Sequence, residues 1–176
     1  MKKNFDLKNK LVLVTGASSG IGYSVSKEFS KHNTRLALMG RNKEKLINLK
    51  YEINEAGGEA KEFAFDLNQT ENISCLVQKI ESQFNDTVDI LVNSAGVAVL
   101  GLIENVPLKA YRDNLQINFF APLKLIQTVL PGMKKKNFGQ IINLFSGVGK
   151  RGLPGVSSYC ISKFALNGLT ESLRVE

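Results

Sequence analysis

A doubly wound parallel α/β sheet is the fold class this sequence predicts, on three observations. Short apolar runs rich in β-branched residues alternate five times with segments of helical periodicity. The first of those runs is continuous rather than alternating, as a strand buried on both faces requires. A glycine-rich turn then joins that run to the first helical segment, where crossover units place their ligand-binding loops. The 176 residues, 43% of them hydrophobic, suffice for one domain that buries roughly 70% of its unfolded surface.

Taken in order, Leu11 to Thr15 (Leu-Val-Leu-Val-Thr) is the first strand, bounded by Gly16. From Gly20, the residues Ile21, Val25 and Phe29 recur every four positions with Lys27, Glu28 and Lys31 between them. That spacing predicts a helix with one buried face. Arg35 to Met39 is the second strand. Asn42 is a candidate cap for a helix carrying Leu46, Leu49 and Ile53, and Gly57-Gly58 stop it. Glu62 to Phe65 is the third strand. The clearest helix follows, with Ile73, Leu76, Val77, Ile80 and Phe84 on one face and Thr70 as a candidate cap. Val88 to Val92 is the fourth strand, closing at Asn93-Ser94-Ala95-Gly96. A mostly apolar segment, Val97 to Val106, leads into one long helical region from about Leu108 to Lys135. Gln140 to Leu144 is the fifth strand, and the last helix starts near Ser157. No linker or low-complexity tract interrupts the rhythm, so residues 1–176 are expected to form a single domain.

Composition excludes several function classes. No apolar run approaches the roughly 18 residues of a membrane span, and Asn4, Asp6 and Lys8 break any leader-like apolar stretch after Lys2 and Lys3. A cytoplasmic protein is expected. Cys75 and Cys160 lie far apart and form no ligand cluster, which predicts reduced, partly buried thiols and no metal site. The formal charge is +7, yet the basic residues are spread along the chain apart from Lys134-Lys135-Lys136. That triplet ends a helical stretch, where cations favour the negative end of the dipole. No nucleic-acid partner is expected. His32 closes the first helix as a surface histidine.

Thr15-Gly16-Ala17-Ser18-Ser19-Gly20-Ile21-Gly22 joins strand one to helix one. Glycines there allow a tight turn and close backbone approach, and the helix N-terminus offers free N–H groups to a pyrophosphate. Ser18 and Ser19 add hydroxyl donors. An acidic group for a ribose 2′-hydroxyl is expected about 20 residues further on. Met39-Gly40-Arg41-Asn42 stands there instead, with no carboxylate before Glu44. The guanidinium fork of Arg41 suits a 2′-phosphate, the alternative being a solvated loop charge. NADP(H) is therefore expected in preference to NAD(H). Asp66, at the end of strand three, either accepts from an adenine amino group or caps the following segment.

Tyr159 and Lys163 are four apart in the last helix, which stacks them on one face about 6 Å apart along the axis. A strand ending at Ser146 brings a hydroxyl towards them across the loop Gly147 to Ser157. A phenol's ordinary pKa near 10 is high for a base at neutral pH, and an adjacent ammonium favours the phenolate. Such a set can move a proton to or from an alcohol oxygen.

With the glycine turn, Asn93-Ser94-Ala95-Gly96, Asn118, Ser146 and Tyr159-x-x-x-Lys163 in one order, the chain resembles the short-chain dehydrogenase/reductase family from about Lys8 to Glu176. The Thr-Gly-x-x-x-Gly-x-Gly spacing looks like its compact single-domain branch. The resemblance implies an oxidoreductase that interconverts a carbonyl and a secondary alcohol by hydride transfer. Tyr159 would be the general acid/base, Lys163 would bind the nicotinamide ribose, Ser146 would hold the substrate oxygen, and Asn118 would support a proton relay. Read from the residues alone, the alternative for Asn118 is a helix-bending amide that bonds back to its own backbone. Gly16, Ser18, Ser19, Gly20, Ile21, Gly22, Arg41, Asp66, Leu67, Asn93, Ser94, Ala95 and Gly96, with Tyr159 and Lys163, would contact the cofactor. Relatives pair through the helices corresponding to 108–135 and 157–176, so a homo-oligomer is implied for a full-length chain.

Two departures from the family pattern stand out. Asn93-Ser94 replaces the usual Asn-Asn pair. The sequence also ends at Glu176 inside the last helix, where members continue with two more strands and a substrate-covering helix pair. The expectation is a fold incomplete at the C-terminus, with strand five as an exposed apolar edge. A non-catalytic fragment that binds only nucleotide or partners is the alternative reading. Val97 to Ile103 and Gly152 to Gly155 would flank the reacting carbon, and their apolar character suggests a hydrophobic or acyl-type substrate.

Overall fold

The computed structural model describes residues 6–176; Lys2, Lys3 and Asn4 lie outside the described residues. Five strands form one sheet: β1 (Leu11–Thr15), β2 (Arg35–Gly40), β3 (Glu59–Ala64), β4 (Ile90–Asn93) and β5 (Gln140–Asn143). All neighbours are parallel and the order is β3-β2-β1-β4-β5. The chain thus winds outward from β1 to one edge, returns, and winds outward to the other. Val12, level with Leu36 on one side and Ile90 on the other, marks the strand from which both halves depart. In such sheets, ligands bind beyond the carboxyl ends of the strands at the point of reversal.

Among the described residues, α1 (Gly20–Ser30), α2 (Lys43–Glu55), α3 (Ile73–Phe84), α4 (Leu108–Leu115) and α5 (Ala121–Lys136) make the crossovers, and α6 (Ser157–Val175) follows β5. They cover both faces, because each strand sends alternate side chains to opposite sides. Val12, Val14, Leu36 and Leu38 pack with Leu46, Leu49 and Ile53 of α2 and with Val25 and Phe29 of α1. On the other face, Leu11, Leu13, Met39 and Leu91 pack with Val77 and Ile80 of α3 and Leu125 and Val129 of α5. Asn85 and Asn137, both left-handed (φ 49 and 51), end α3 and α5, a conformation asparagine tolerates better than most residues.

At the amino end of the sheet, four charges tie strands to helices. Asp86 pairs with Arg35 of β2 and with Lys136 of α5, the latter at 2.6 Å. Lys136 also bonds Asp89 at 3.0 Å, and Asp89 accepts from the Leu11 N–H at 2.8 Å.

Several local expectations change. The region from 108 to 136 is not one regular helix, because a π-helical turn (Gln116–Phe120) separates α4 from α5. Asn118 lies in that turn, and its side chain bonds outside its own helix. Thr70 does not cap α3; it begins a short 3-10 turn and its hydroxyl accepts from Gln116 Nε2 at 3.2 Å. On α1 the stripe set deepest is Gly22 and Ser26, whereas Ile21 is 63% exposed. Gly22 packs closely against the Gly16 carbonyl and Ser94 Oγ. Cys75 is exposed and only Cys160 is buried. The edge position of β5 is as expected, with Ile142 and Phe145 exposed.

Candidate active site

The β1–α1 turn wraps a cradle against the end of β4. Gly16 is left-handed (φ +68), and a methyl there would meet the Ala95 Cα and N at 2.9 Å. Gly22 lies behind the turn; a methyl on it would sit 2.8 Å from the Gly16 carbonyl carbon. Thr15 fastens the two halves, its hydroxyl accepting from the Ser94 and Ala95 N–H groups at 3.0 and 3.1 Å. Ser19 precedes α1 without a side-chain bond to it, and no acidic residue occupies the first turn. The leading amides of α1 are therefore available to an anion.

These walls enclose a cleft of about 480 Å³ at the carboxyl ends of β1, β2 and β4. Gly16, Ser18, Ser19, Gly20, Ile21, Arg41, Asp66, Leu67, Ser94, Ala95 and Gly96 all line it. The exposure of Ile21 has its explanation here, since it faces the cleft. Gly22 and Asn93 stand outside the lining: Gly22 packs under the turn, and Asn93 donates from Nδ2 to Asn143 Oδ1 on β5 at 2.8 Å. Asp66 Oδ1 accepts from the backbone and side chain of Asn68, both at 3.0 Å, so a local turn and a place in the cleft coexist. Met39, Gly40, Asn42, Lys45, Phe65, Val97 and Ile117 complete the lining; of these the sequence places only Val97 at the site, as part of the segment flanking the reacting carbon. Lys45 had a signal: it is one turn into the helix that Arg41 precedes. Ile117 had none, because it lies on an element remote in sequence.

One corner of the cleft is basic. Ser18 Oγ lies over Gly40, 3.2 Å from where a β-carbon would be, and Arg41 and Lys45 stand beside it. Both cations are exposed and neither is paired among the described residues. Asn42 accepts from the Lys45 N–H at 2.9 Å and caps α2.

The second half of the site begins where the cleft ends. A β-carbon on Gly96 would sit 3.3 Å from Asn118 Oδ1 and 3.9 Å from Lys163 Nζ. Lys163 is 5% exposed, donates to the Leu144 carbonyl at 2.8 Å, and lies 5.6 Å from the centroid of the Tyr159 ring. Burial pushes the Lys163 pKa below the ordinary lysine value. Ser146 ends the segment after β5, and its hydroxyl accepts from the Val148 N–H at 3.5 Å. Asn118 is fully engaged: Oδ1 accepts from the Val97 N–H at 2.9 Å, and Nδ2 donates to the Val97 carbonyl and to Ser162 Oγ at 2.8 and 2.9 Å. Its side chain thus bonds across elements, unlike the back-bonding amide that sequence also allowed. Ser162 was not anticipated as part of this cluster.

The family model described as short chain dehydrogenase matches residues 10–176. The chain belongs to the short-chain dehydrogenase family. It is 31% identical over 170 residues to a ketoacyl reductase, HetN, of Nostoc sp., covering 97% of this chain and 59% of that protein. A metagenomic short-chain oxidoreductase solved in complex with NADP superimposes with a TM-score of 0.91 at 32% identity, over 96% of this chain and 76% of that one. An NAD+-bound xylitol dehydrogenase superimposes with a TM-score of 0.90 at 28% identity, over 96% and 65%. A nicotinamide nucleotide is thus the cofactor class of these short-chain dehydrogenases. The chain spans 54–59% of the length of the first curated relatives it matches. Among the described residues, no helix is long and apolar enough to cross a membrane and no group of His, Cys, Asp and Glu could hold a metal ion.

Proposed function

We propose that this short-chain dehydrogenase is an NADP(H)-dependent oxidoreductase that interconverts a carbonyl and a secondary alcohol. One observation carries the reading: Lys163 is buried beside Tyr159 and reaches Gly96, where the nucleotide cleft ends. A buried lysine with a single carbonyl partner is costly for a fold, which favours a chemical role over a structural one.

The residues fit a dinucleotide. The uncapped amides of α1 receive a pyrophosphate, with the Ser18 and Ser19 hydroxyls beside them. Arg41, supported by Lys45, receives a 2′-phosphate, and Asp66 and Leu67 border the adenine. When bound, the nicotinamide supplies or accepts the hydride. Tyr159 gives a proton to the substrate oxygen in reduction and removes it in oxidation. Lys163 binds the ribose and holds positive charge near the phenol. Ser146 donates to the substrate oxygen, and Asn118 holds the backbone of Val97 and supports the relay that returns a proton to Tyr159.

The substrate is a hydrophobic or acyl-type carbonyl compound. Leu100, Leu102 and Ile103 on one flanking loop and Leu153 on the other are exposed, and the likeness to a ketoacyl reductase points the same way. Exposed Ile161 and Phe164 on α6 favour pairing of copies through that helix, which sizing of the full-length protein would test.

The deciding experiment is NADPH oxidation against a panel of long-chain, cyclic and polyhydroxylated ketones. Tyr159→Phe is expected to abolish turnover and keep NADPH binding; turnover that persists would rule out Tyr159 as the acid. Preference for a polyhydroxylated ketone would overturn the substrate class. NADPH binding without turnover of any ketone by the parent would favour a non-catalytic, nucleotide-binding chain.

A further inference from the structure

Three side-chain hydrogen bonds join α4 and the π-turn after it to the first two turns of α6. Tyr111 Oη meets Ser157 Oγ at 2.7 Å, Asn114 Nδ2 donates to Ser158 Oγ at 2.8 Å, and Asn118 Nδ2 donates to Ser162 Oγ at 2.9 Å. Positions 111, 114 and 118 share one helical face, so the bonds follow one another along the seam. The middle bond is the driest, with Asn114 and Ser158 both 0% exposed. Asn114 Oδ1 has no partner among the described residues. An aliphatic side chain would pack in that seam without leaving an orphaned oxygen. The amide therefore has its use in the bond to Ser158.

The same row holds the segment that follows β4. Ser158 Oγ accepts from Asn114 and donates to the Val99 carbonyl at 3.3 Å. Asn118 grips Val97 at its N–H and carbonyl, and the Gly101 N–H donates to the Gly155 carbonyl at 2.9 Å. Residues 97–101 are thus pinned at three points, each on α6, on the loop before it, or on the residue bonded to it. Tyr159 lies between Ser158 and Ser162, within this pinned register.

We propose that Asn114 and Ser158 are positioning residues: their bond sets the height of α6, and so of Tyr159, against the 97–101 segment that would border the substrate. The proposal rests on the reading of Tyr159 as the proton donor, and it predicts that loosening the bond frees 97–101 without opening the nucleotide cleft.

The test uses the full chain and the paired variant Asn114→Leu/Ser158→Ala, in which neither partner of that bond is left as an orphaned polar group; Asn114→Leu alone, which keeps the Ser158 hydroxyl on the Val99 carbonyl, separates the two bonds. Hydrogen exchange at the Val97 and Gly101 amides is expected to quicken about tenfold or more, with β1 and β4 amides at the parent rate. The Kd for NADPH should stay within about twofold, while kcat/KM for a ketone the parent reduces falls about tenfold or more. A purely structural role would leave exchange and kcat/KM at parent values once stability is matched, and that result would overturn the proposal. Exchange that quickens everywhere would overturn it too. A parent that binds NADPH and reduces no ketone would sink the oxidoreductase reading instead, with the exchange result still deciding whether the bond holds 97–101.

Discussion

Asn93 and Asn143 stand level at the carboxyl ends of β4 and β5, and Asn93 Nδ2 donates to Asn143 Oδ1 at 2.8 Å. Asn143 Nδ2 passes the link on to Thr170 Oγ1 of α6, also at 2.8 Å. One amide thereby ties two strands to the helix that carries Tyr159 and Lys163. Asn143→Leu would leave the buried Asn93 amide without an acceptor. A loss of about 1–3 kcal/mol is expected in urea unfolding, and a change under about 0.5 kcal/mol would show that the link matters little.

Gly22 has no room for a side chain, since a methyl would press on the carbonyl group of Gly16. Gly22→Ala is expected to cost about 1–3 kcal/mol through overpacking and to weaken NADPH binding by shifting the turn. Fluorescence titration with NADPH checks this; unaltered affinity would mean that the turn absorbs the methyl.

Arg41→Asp replaces an unpaired cation at the basic corner with a carboxylate suited to a ribose 2′-hydroxyl. The affinity ratio of NADPH to NADH should fall about tenfold to a hundredfold, the worth of one hydrogen bond to a charged group. An unchanged ratio in competitive titration would remove Arg41 from the phosphate site.

The lowered pKa of Lys163 fixes a direction in pH. The folded protein releases this proton below the ordinary value of 10.5, so between the lowered value and 10.5 the unfolded chain holds more protons. Stability from this group therefore rises with pH across that alkaline window, as the penalty for burying the cation is relieved. Lys163→Met should be more stable than the parent at neutral pH, by about 1 kcal/mol, with the gap closing as pH rises. Chemical unfolding at neutral and alkaline pH measures it, and a less stable variant at both would contradict the assignment.

Asp86 behaves oppositely. Burial pushes its carboxyl up, but hydrogen bonds from Lys136 and Arg35 outweigh burial and hold it below the ordinary 3.8. Its contribution is present above 3.8 and lost as pH falls through the lowered value. Asp86→Asn should destabilise the protein at pH 7 and flatten the stability curve below about pH 4. An unaltered acid limb would show that other carboxylates govern acid unfolding.

Strands β1 and β2, the buried stripes of α2 and α3, the glycine turn and the Tyr159–Lys163 pair were legible because each is encoded within a few residues. Contiguous apolar runs, three- and four-residue spacings and glycines that need room leave local marks. The π-turn at Gln116–Phe120 left no periodic mark, and Asn118 within it bonds Val97 and Ser162, partners 21 and 44 positions away. Ile117 joined the cleft only once the π-turn was set in space, whereas Lys45, one turn into the helix that Arg41 precedes, left a local mark. Asn114 is 0% exposed, and no local spacing sets it apart from the other polar residues of α4. Pairings across the fold determine such positions, and periodicity does not report them.

Gly16 rests on Ala95, and Thr15 holds the amides of Ser94 and Ala95. The partners are separated by some eighty residues of chain, a span that includes β2, β3 and three helices. During synthesis, strands β1 to β3 can pair as soon as they emerge, because each needs only its predecessor, whereas this seam must wait for β4 to be translated and slotted beside β1. A nascent chain halted before Asn93 would carry the whole glycine turn and yet lack the wall it leans on. NADPH affinity measured on chains stalled at successive lengths would therefore rise sharply only after β4 clears the ribosome, making the cofactor a gauge of how far assembly has gone.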